Sequence, residues 1–186
     1  MIQSSHLKLL RECGADDARH TGRPLITHLS GTYDILMRWG CSKHVCLAGL
    51  FHSVYGTALY ETRLLTLGKR AYLRAGIGSR AERLVYIFGC TRRPRAFINA
   101  IGRSAFRLDN FVTGEEISLS DKTLSELLEI ECANLIDQRL GYEHLEAIAR
   151  AVECRPSFLK KPVRDELVKA LLVWKNRNIQ PSPKSS

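Results

Sequence analysis

The segment SKHVCLAGLFHSVYG, residues 42–56, constrains the fold more than any other stretch of the sequence. From Val45 to Phe51 it is apolar almost all round. A helix without a polar face has to sit in the middle of a core, so further helices must enclose it. Ser42 can cap its start. Its apolar run, CLAGLF, reaches only about a third of the roughly 20 residues that a bilayer span requires, which makes it a buried helix and not a membrane one. His52 follows near its end and shares a face with Val45, Ala48 and Gly49, so it is expected to be buried too.

The helix before it runs from Pro24, favourable in a first turn, to about Trp39, with Gly40 as its stop. His28 lies on its apolar stripe with Leu25, Thr32, Ile35 and Trp39, and should point inward. Ser5 to Cys13 reads as a short helix ended by Gly14, and ADDARHTGR as a polar turn. Weaker helical segments fall at about 68–75, 79–88 (Ser79 as cap) and 94–101 (from Pro94). The stretch around 105–119 alternates about Thr113 and Gly114 and reads as a small hairpin. Ser120 opens a strong helix with Leu124, Leu127, Leu128, Cys132 and Leu135 on one face and Asn134 and Gln138 on a neighbouring stripe. Helices at 142–153 and 163–177 complete the pattern.

The expected fold is therefore all-α: seven or eight helices with one small β-hairpin, in one domain over 1–178 with a flexible tail at 179–186. Residue usage is that of a globular chain, with 45% hydrophobic and 25% charged residues. The N-terminal stretch MIQSSHLKLLREC carries charge where a secretory signal needs a hydrophobic core, so a cytoplasmic location and no membrane partner are expected. Six scattered cysteines with no C-x-x-C pair read as buried thiols.

The net charge of +9 is unevenly laid out. Residues 62–108 hold eleven basic side chains and one acidic one, and residues 109–154 hold three and eleven. The basic block can be a solvated face, can pair with the acidic block, or can hold an anion. Nucleic acid is not expected as a partner, since no binding motif or aromatic-interleaved strand accompanies the charge.

Two inward histidines on successive helices are the most informative chemical feature. Imidazole is a common metal ligand, and helices hold ligands rigidly. The alternative is a pair of hydrogen-bonded core histidines.

At this point the sequence resembles a known family. RHTGRPLITH, Arg19 to His28, resembles the R-x-S-G-E-P-x-I-x-H motif in the hydrolase domain of bifunctional guanosine tetra- and pentaphosphate synthetase/hydrolases, members of the HD superfamily. AGLFHSVYGT looks like that family's A-x-L-x-H-D-x-x-E-D, IGSRAERLVYIFGC like G-x-x-V-A-x-L-V, and ECANLIDQ falls where the family has L-A-D-R-L-H-N. The similarity covers roughly residues 15–140. AGLFHSVYGT also resembles a segment of small bacterial proteins of unknown function.

The resemblance implies an HD-like helical bundle in which His28 and His52 match two metal-ligating histidines and Arg19 matches an arginine that packs on guanine. The other positions depart from the pattern. Ser53 occupies the HD aspartate position, Gly56 and Thr57 replace the E-D pair that positions water, Asn134 replaces the second aspartate ligand, and Gln138 stands at an asparagine. Losing both carboxylate ligands lowers affinity for a hard ion such as manganese, and losing the E-D pair removes proton acceptors, so alarmone hydrolysis is not expected.

Three readings follow. In the first the chain is a repurposed HD-like enzyme acting on a small anionic or nucleotide-like metabolite. Its catalytic residues are then His28, His52 and Tyr55, and the two histidines hold a divalent ion (manganese, iron or another), with His20, Asp34 or Glu61 supplied from nearby. In the second it is an inactive binding or regulatory domain in which Arg19, His28, His52, Tyr55, Asn134 and Gln138 present hydrogen bonds to an uncharged or anionic small-molecule ligand; the candidate ligand-binding residues are Arg19, His20, Ser53, Asn134 and Gln138. In the third the polar core residues merely satisfy one another. Thr21 and Gly22 read as a turn rather than a phosphate loop, and His44 and His144 as surface residues.

Overall fold

The computed structural model describes residues 1–20, 22–58, 60, 62–103 and 106–179; Thr21, Glu61 and the segment 180–186, and with them the expectations placed there, lie outside the described residues. The described chain is mostly helical. It runs α1 (Ser4–Glu12), a two-residue ribbon β1 (Arg19–His20) and β2 (Arg23–Pro24), α2 (Leu25–Arg38), α3 (Lys43–Phe51), α4 (Arg70–Ile77), α5 (Ser79–Cys90), α6 (Arg95–Ile101), a hairpin β3 (Phe106–Asp109) and β4 (Glu116–Leu119), α7 (Asp121–Gln138), α8 (Tyr142–Glu153) and α9 (Lys161–Ile179). Nine α-helices among the described residues replace the seven or eight expected, and the small ribbon β1–β2 occupies the stretch read as a polar turn.

The central position of α3 follows from its composition. Val45 to Phe51 are all buried, and the helix packs against α2, α5 and α7. It ends at Phe51, sooner than its sequence suggests, and leaves His52 at the C-terminal cap. Gly49 makes the α2 contact possible, because a Cβ there would sit 2.3 Å from Leu36 Cδ1. One hydrophobic cluster runs from Leu9 on α1 to Leu167 on α9. No helix among the described residues is long and apolar enough to cross a membrane.

α7 departs from the one-faced helix expected. It is buried on nearly every side from Glu126 to Leu135, carrying three glutamates into the interior. Each has a partner: Arg80 and His44 for Glu126, Lys160 and Cys41 for Glu129, Arg93 for Glu131. Part of the basic block thus pairs with the acidic block, Arg107 with Glu116 included, and Arg70 and Arg74 hold buried Glu82. Ser120 caps α7 by accepting from the Thr123 amide at 3.2 Å, as its sequence suggests. Five of the six cysteines are buried thiols, whereas Cys154 is exposed.

Candidate functional site

α2 lies against α3 and α7, and this brings His28, His52 and Asn134 together in the interior. His28 Nε2 is 3.2 Å from His52 Nε2 and 3.1 Å from Asn134 Oδ1. The hydrogen bond on the far side of the His52 ring fixes its tautomer. His52 Nδ1 lies 2.7 Å from the Gly49 carbonyl, which can only accept, so Nδ1 carries the proton and Nε2 a lone pair. His28 Nδ1 lies 2.6 Å from Asp137 Oδ2, a carboxylate that also receives a charge-assisted bond from Arg23. Donation by Nδ1 to that carboxylate would leave Nε2 of a neutral His28 with a lone pair, whereas acceptance by Nδ1 from Arg23 Nη2, 3.4 Å away, would put the proton on Nε2. In the first of these tautomers three acceptor atoms, two imidazole nitrogens and one amide oxygen, face one another. Gln138 Nε2 donates to Asn134 Oδ1 at 2.8 Å.

Asp137 was not among the expected site residues, yet it anchors the arrangement. Arg23 Nη2 donates to its carboxylate and, at 3.0 Å, to its backbone carbonyl. Gly31, one turn after His28, gives the carboxylate room, since a Cβ there would lie 2.0 Å from Asp137 Oδ1. Both positions were readable in principle, because Asp137 follows Asn134 by three residues and Gly31 follows His28 by three, each sharing its helix face.

Strand register decides which arginine joins the site. In the ribbon His20 pairs with Arg23, and Arg19 with Pro24, so the side chains of His20 and Arg23 share one face. The His20 ring lies 4.9 Å from the His28 ring and 4.8 Å from Tyr60, covering the cluster. Arg19 is exposed and donates to the Gly22 carbonyl at 3.0 Å, outside the cluster. Ser53 is buried, but among the described residues no hydrogen bond joins it to either histidine. The Tyr55 hydroxyl is committed elsewhere, donating to Glu82 Oε1 at 3.1 Å, and burial raises its pKa. His44 is held by Glu126 at 2.9 Å, while His144 is exposed beside Glu143.

Beside the cluster a cleft of about 720 Å³ is bordered by Arg23, Asp34, Arg38, Asp137, Gln138 and Arg139. The Asp137 side chain, 10% exposed, connects this cleft to His28, which is 0% exposed. Ligands entering the cleft would meet three guanidinium groups and the carboxylate that orients His28.

The interior disfavours the protonated forms of His52 and His20. Burial, then the neighbouring His28, holds His52 well below the usual histidine range, against the raising effect of its bond to Gly49. His20 is lowered to about 4 by burial, then by His28, Arg93 and Arg23, with Asp137 acting the other way. Between that value and the unfolded pKa near 6.5 the unfolded chain binds protons that the folded chain refuses, so stability rises with pH across this window and is lost on acidification. The raised Glu129 and Glu131, which take protons more readily when folded, act in the opposite direction. Melting of chelator-treated protein from pH 7 to pH 5 should therefore show a steeper acid loss for the native chain than for His52→Gln, in which the glutamate contributions cancel from the comparison. The His52 share of the slope is at most about 1.4 kcal/mol per pH unit. Equal slopes would contradict a neutral buried His52.

Among the described residues no group of three or more His, Cys, Asp or Glu is placed to hold a metal ion. The converging donors are instead His28 Nε2, His52 Nε2 and Asn134 Oδ1, a neutral set. Such a set suits a borderline ion that accepts imidazole, such as zinc, cobalt or nickel, better than manganese, which favours carboxylate oxygen. The bonds from Nδ1 to Asp137 and to the Gly49 carbonyl are of the kind that orient metal-ligating histidines.

Residues 9–93, a span that includes His20, Arg23, His28 and His52 but stops short of α7 with Asn134 and Asp137, match the family model described as a domain of unknown function (DUF6817). No curated protein and no solved structure matches the chain, so this likeness is one of sequence, over the part of the chain that supplies both histidines.

Proposed function

We propose that this chain is a divergent HD-like domain that binds rather than hydrolyses. His28, His52 and Asn134 hold one imidazole-preferring divalent cation, and a small anionic, nucleotide-like metabolite occupies the cleft between α2 and α7. The observation that carries the reading is the pair of Nε2 atoms facing each other at 3.2 Å with Asn134 Oδ1 beside them, an arrangement that a cation or a shared proton between them would satisfy. When bound, such an ion supplies Lewis acidity and positive charge. Asp137 and the Gly49 carbonyl hold the two histidine rings in place, and Gln138 orients Asn134. Arg23, Arg38 and Arg139 draw an anion into the cleft.

Binding ranks above catalysis because His28 and His52 are 0% and 1% exposed, and because Gly56 and Thr57 stand where the enzymes this sequence resembles carry an acidic pair. The enzymatic reading keeps one supporting observation, the short Asp137–His28 bond, which is the geometry that orients a general base.

Elemental analysis after supplementation with zinc, cobalt, nickel, iron and manganese tests the cation. The expected result is about one zinc, cobalt or nickel ion per chain, lost in both His28→Ala and His52→Ala, with manganese not retained. Wild-type protein that keeps no ion, or variants that both keep one, would overturn this part of the reading. A thermal-shift series of nucleotides, phosphorylated metabolites and carboxylates tests the cleft. A stabilising anion should lose its effect in Arg23→Ala and keep it in Arg19→Ala; the reverse pattern would return the site to Arg19. Turnover of any stabilising compound would favour the enzymatic reading.

A further inference from the structure

A second cavity, about 490 Å³, lies between residues 55–58, the end of α5 and the turn joining β3 to β4. It shares no lining residue with the cleft between α2 and α7. Arg63 and Arg92 border it, and none of its lining residues is a carboxylate. Among the described residues neither arginine enters an ion pair, and the same holds for Arg83, Arg95 and Arg103, whereas Arg70, Arg74, Arg80, Arg93 and Arg107 of the same basic block each do. Both guanidinium groups are exposed and border the same cavity, so an anion bound there would be attracted by both.

The opposite wall is apolar and fixed. Phe111 and Val112 are 37% and 42% exposed, yet they sit on a turn held from beneath by Asn110, which is itself buried. Asn110 Oδ1 accepts from the Val112 and Thr113 amides at 3.0 and 3.2 Å, and its Nδ2 donates to the Tyr86 hydroxyl at 2.8 Å. The Phe111 amide donates to the Cys90 carbonyl at 3.0 Å, tying the turn to the end of α5. The turn is thus built to present apolar side chains at the cavity rim. The Arg92 guanidinium lies 5.5 Å from the Phe111 ring centroid, so cationic and aromatic surfaces are adjacent.

The geometry points to a second binding site here, independent of the cation and cleft reading, for a small organic phosphate monoester with an aromatic body. Arg63 and Arg92 match the charge of a phosphate dianion and can fork onto its oxygens. Phe111, Val112 and Leu67 offer the contact for the ring, and the volume is within the usual range for small-molecule pockets.

Calorimetric titration of the full chain with phenyl phosphate tests the site, with inorganic phosphate and phenol as the two halves of the probe. Saturable one-to-one binding is expected, at least tenfold tighter than inorganic phosphate, with no heat from phenol. Arg63→Ala and Arg92→Ala should each weaken phenyl phosphate at least tenfold. Phe111→Ala should remove most of its advantage over inorganic phosphate. All three positions are exposed, so melting temperatures close to wild type should confirm that the variants fold. Absence of saturable binding, equal affinity for phenyl and inorganic phosphate, or indifference to both arginine variants would overturn the proposal. So would loss of binding in Arg23→Ala, which would move the ligand to the other cleft.

Discussion

Replacing Arg93 by alanine should lower the stability of the fold by about 3–5 kcal/mol, the usual cost of removing one partner from a buried ion pair. Arg93 Nη1 donates to both carboxylate oxygens of Glu131 at 3.0 Å, and Glu131 is 0% exposed on the interior-facing helix α7. The guanidinium also lies over the Phe88 ring, 4.3 Å from its centroid, and its Nη2 reaches the Thr57 hydroxyl at 3.4 Å. Burial raises the Glu131 pKa, while the charge and hydrogen bonds of Arg93 pull it down. Without Arg93 the raising effect of burial is left with much less opposition. For a chain of this length each kcal/mol moves the melting temperature by about 2–4 °C, so a fall of roughly 6–20 °C is expected. The sign of the pH dependence follows from the same carboxyl group. Above its folded pKa the variant must bury a charge, and below it the group is neutral, so the penalty should be smaller at pH 5 than at pH 8. The double variant Arg93→Met with Glu131→Leu should recover most of the loss, because apolar replacement of a whole buried pair is often neutral. A single variant within about 1 kcal/mol of wild type, or a double variant no better than the single, would show that the pair does not hold α7 in place.

Apolar patterning made α3 and the inward positions of His28 and His52 legible, because burial of an apolar helix or stripe is a local consequence of residue order. The interior glutamates of α7 were not legible in the same way. A glutamate reads as solvent-facing until its partner is known, and Arg80, Arg93 and Lys160 come from distant parts of the chain. The site shows the same division. His28, His52, Asn134 and Gln138, placed inward or on one stripe by helical spacing, come together in the interior. Arg19 does not, because the ribbon register turns it to the face opposite His20 and gives that place to Arg23. Tyr55 lies three residues past His52, but α3 has already ended at Phe51 and the chain turns the hydroxyl to Glu82. Asp137 escaped notice because its role depends on a glycine across the helix interface, a dependence that appears only when α2 and α7 are packed together.

That glycine gives the second large effect. In an ordinary helix interior Gly→Ala stabilises by about 1 kcal/mol, through the lower backbone entropy of alanine in the unfolded chain. Gly31 lies in the middle of α2 with no positive φ, so propensity alone predicts that Gly31→Ala strengthens the protein. The opposite is expected. A Cβ at position 31 would lie 2.0 Å from Asp137 Oδ1 and 2.8 Å from Cγ, closer than atoms can approach. The carboxylate cannot swing aside without cost, because Oδ2 accepts from both Arg23 and His28 Nδ1. Losing even one of these charge-assisted bonds costs about 1.5–3 kcal/mol, which outweighs the gain in propensity. The urea midpoint of Gly31→Ala should therefore fall, with a net loss of stability of about 0.5–2 kcal/mol. Asp137→Ala supplies the control. Once the carboxylate is gone, adding Gly31→Ala should cost nothing further and should recover the propensity gain, so the two substitutions should be strongly non-additive. A higher midpoint for Gly31→Ala alone, or simple additivity with Asp137→Ala, would mean that Asp137 is not wedged against α2 and that the orientation of His28 rests on something else.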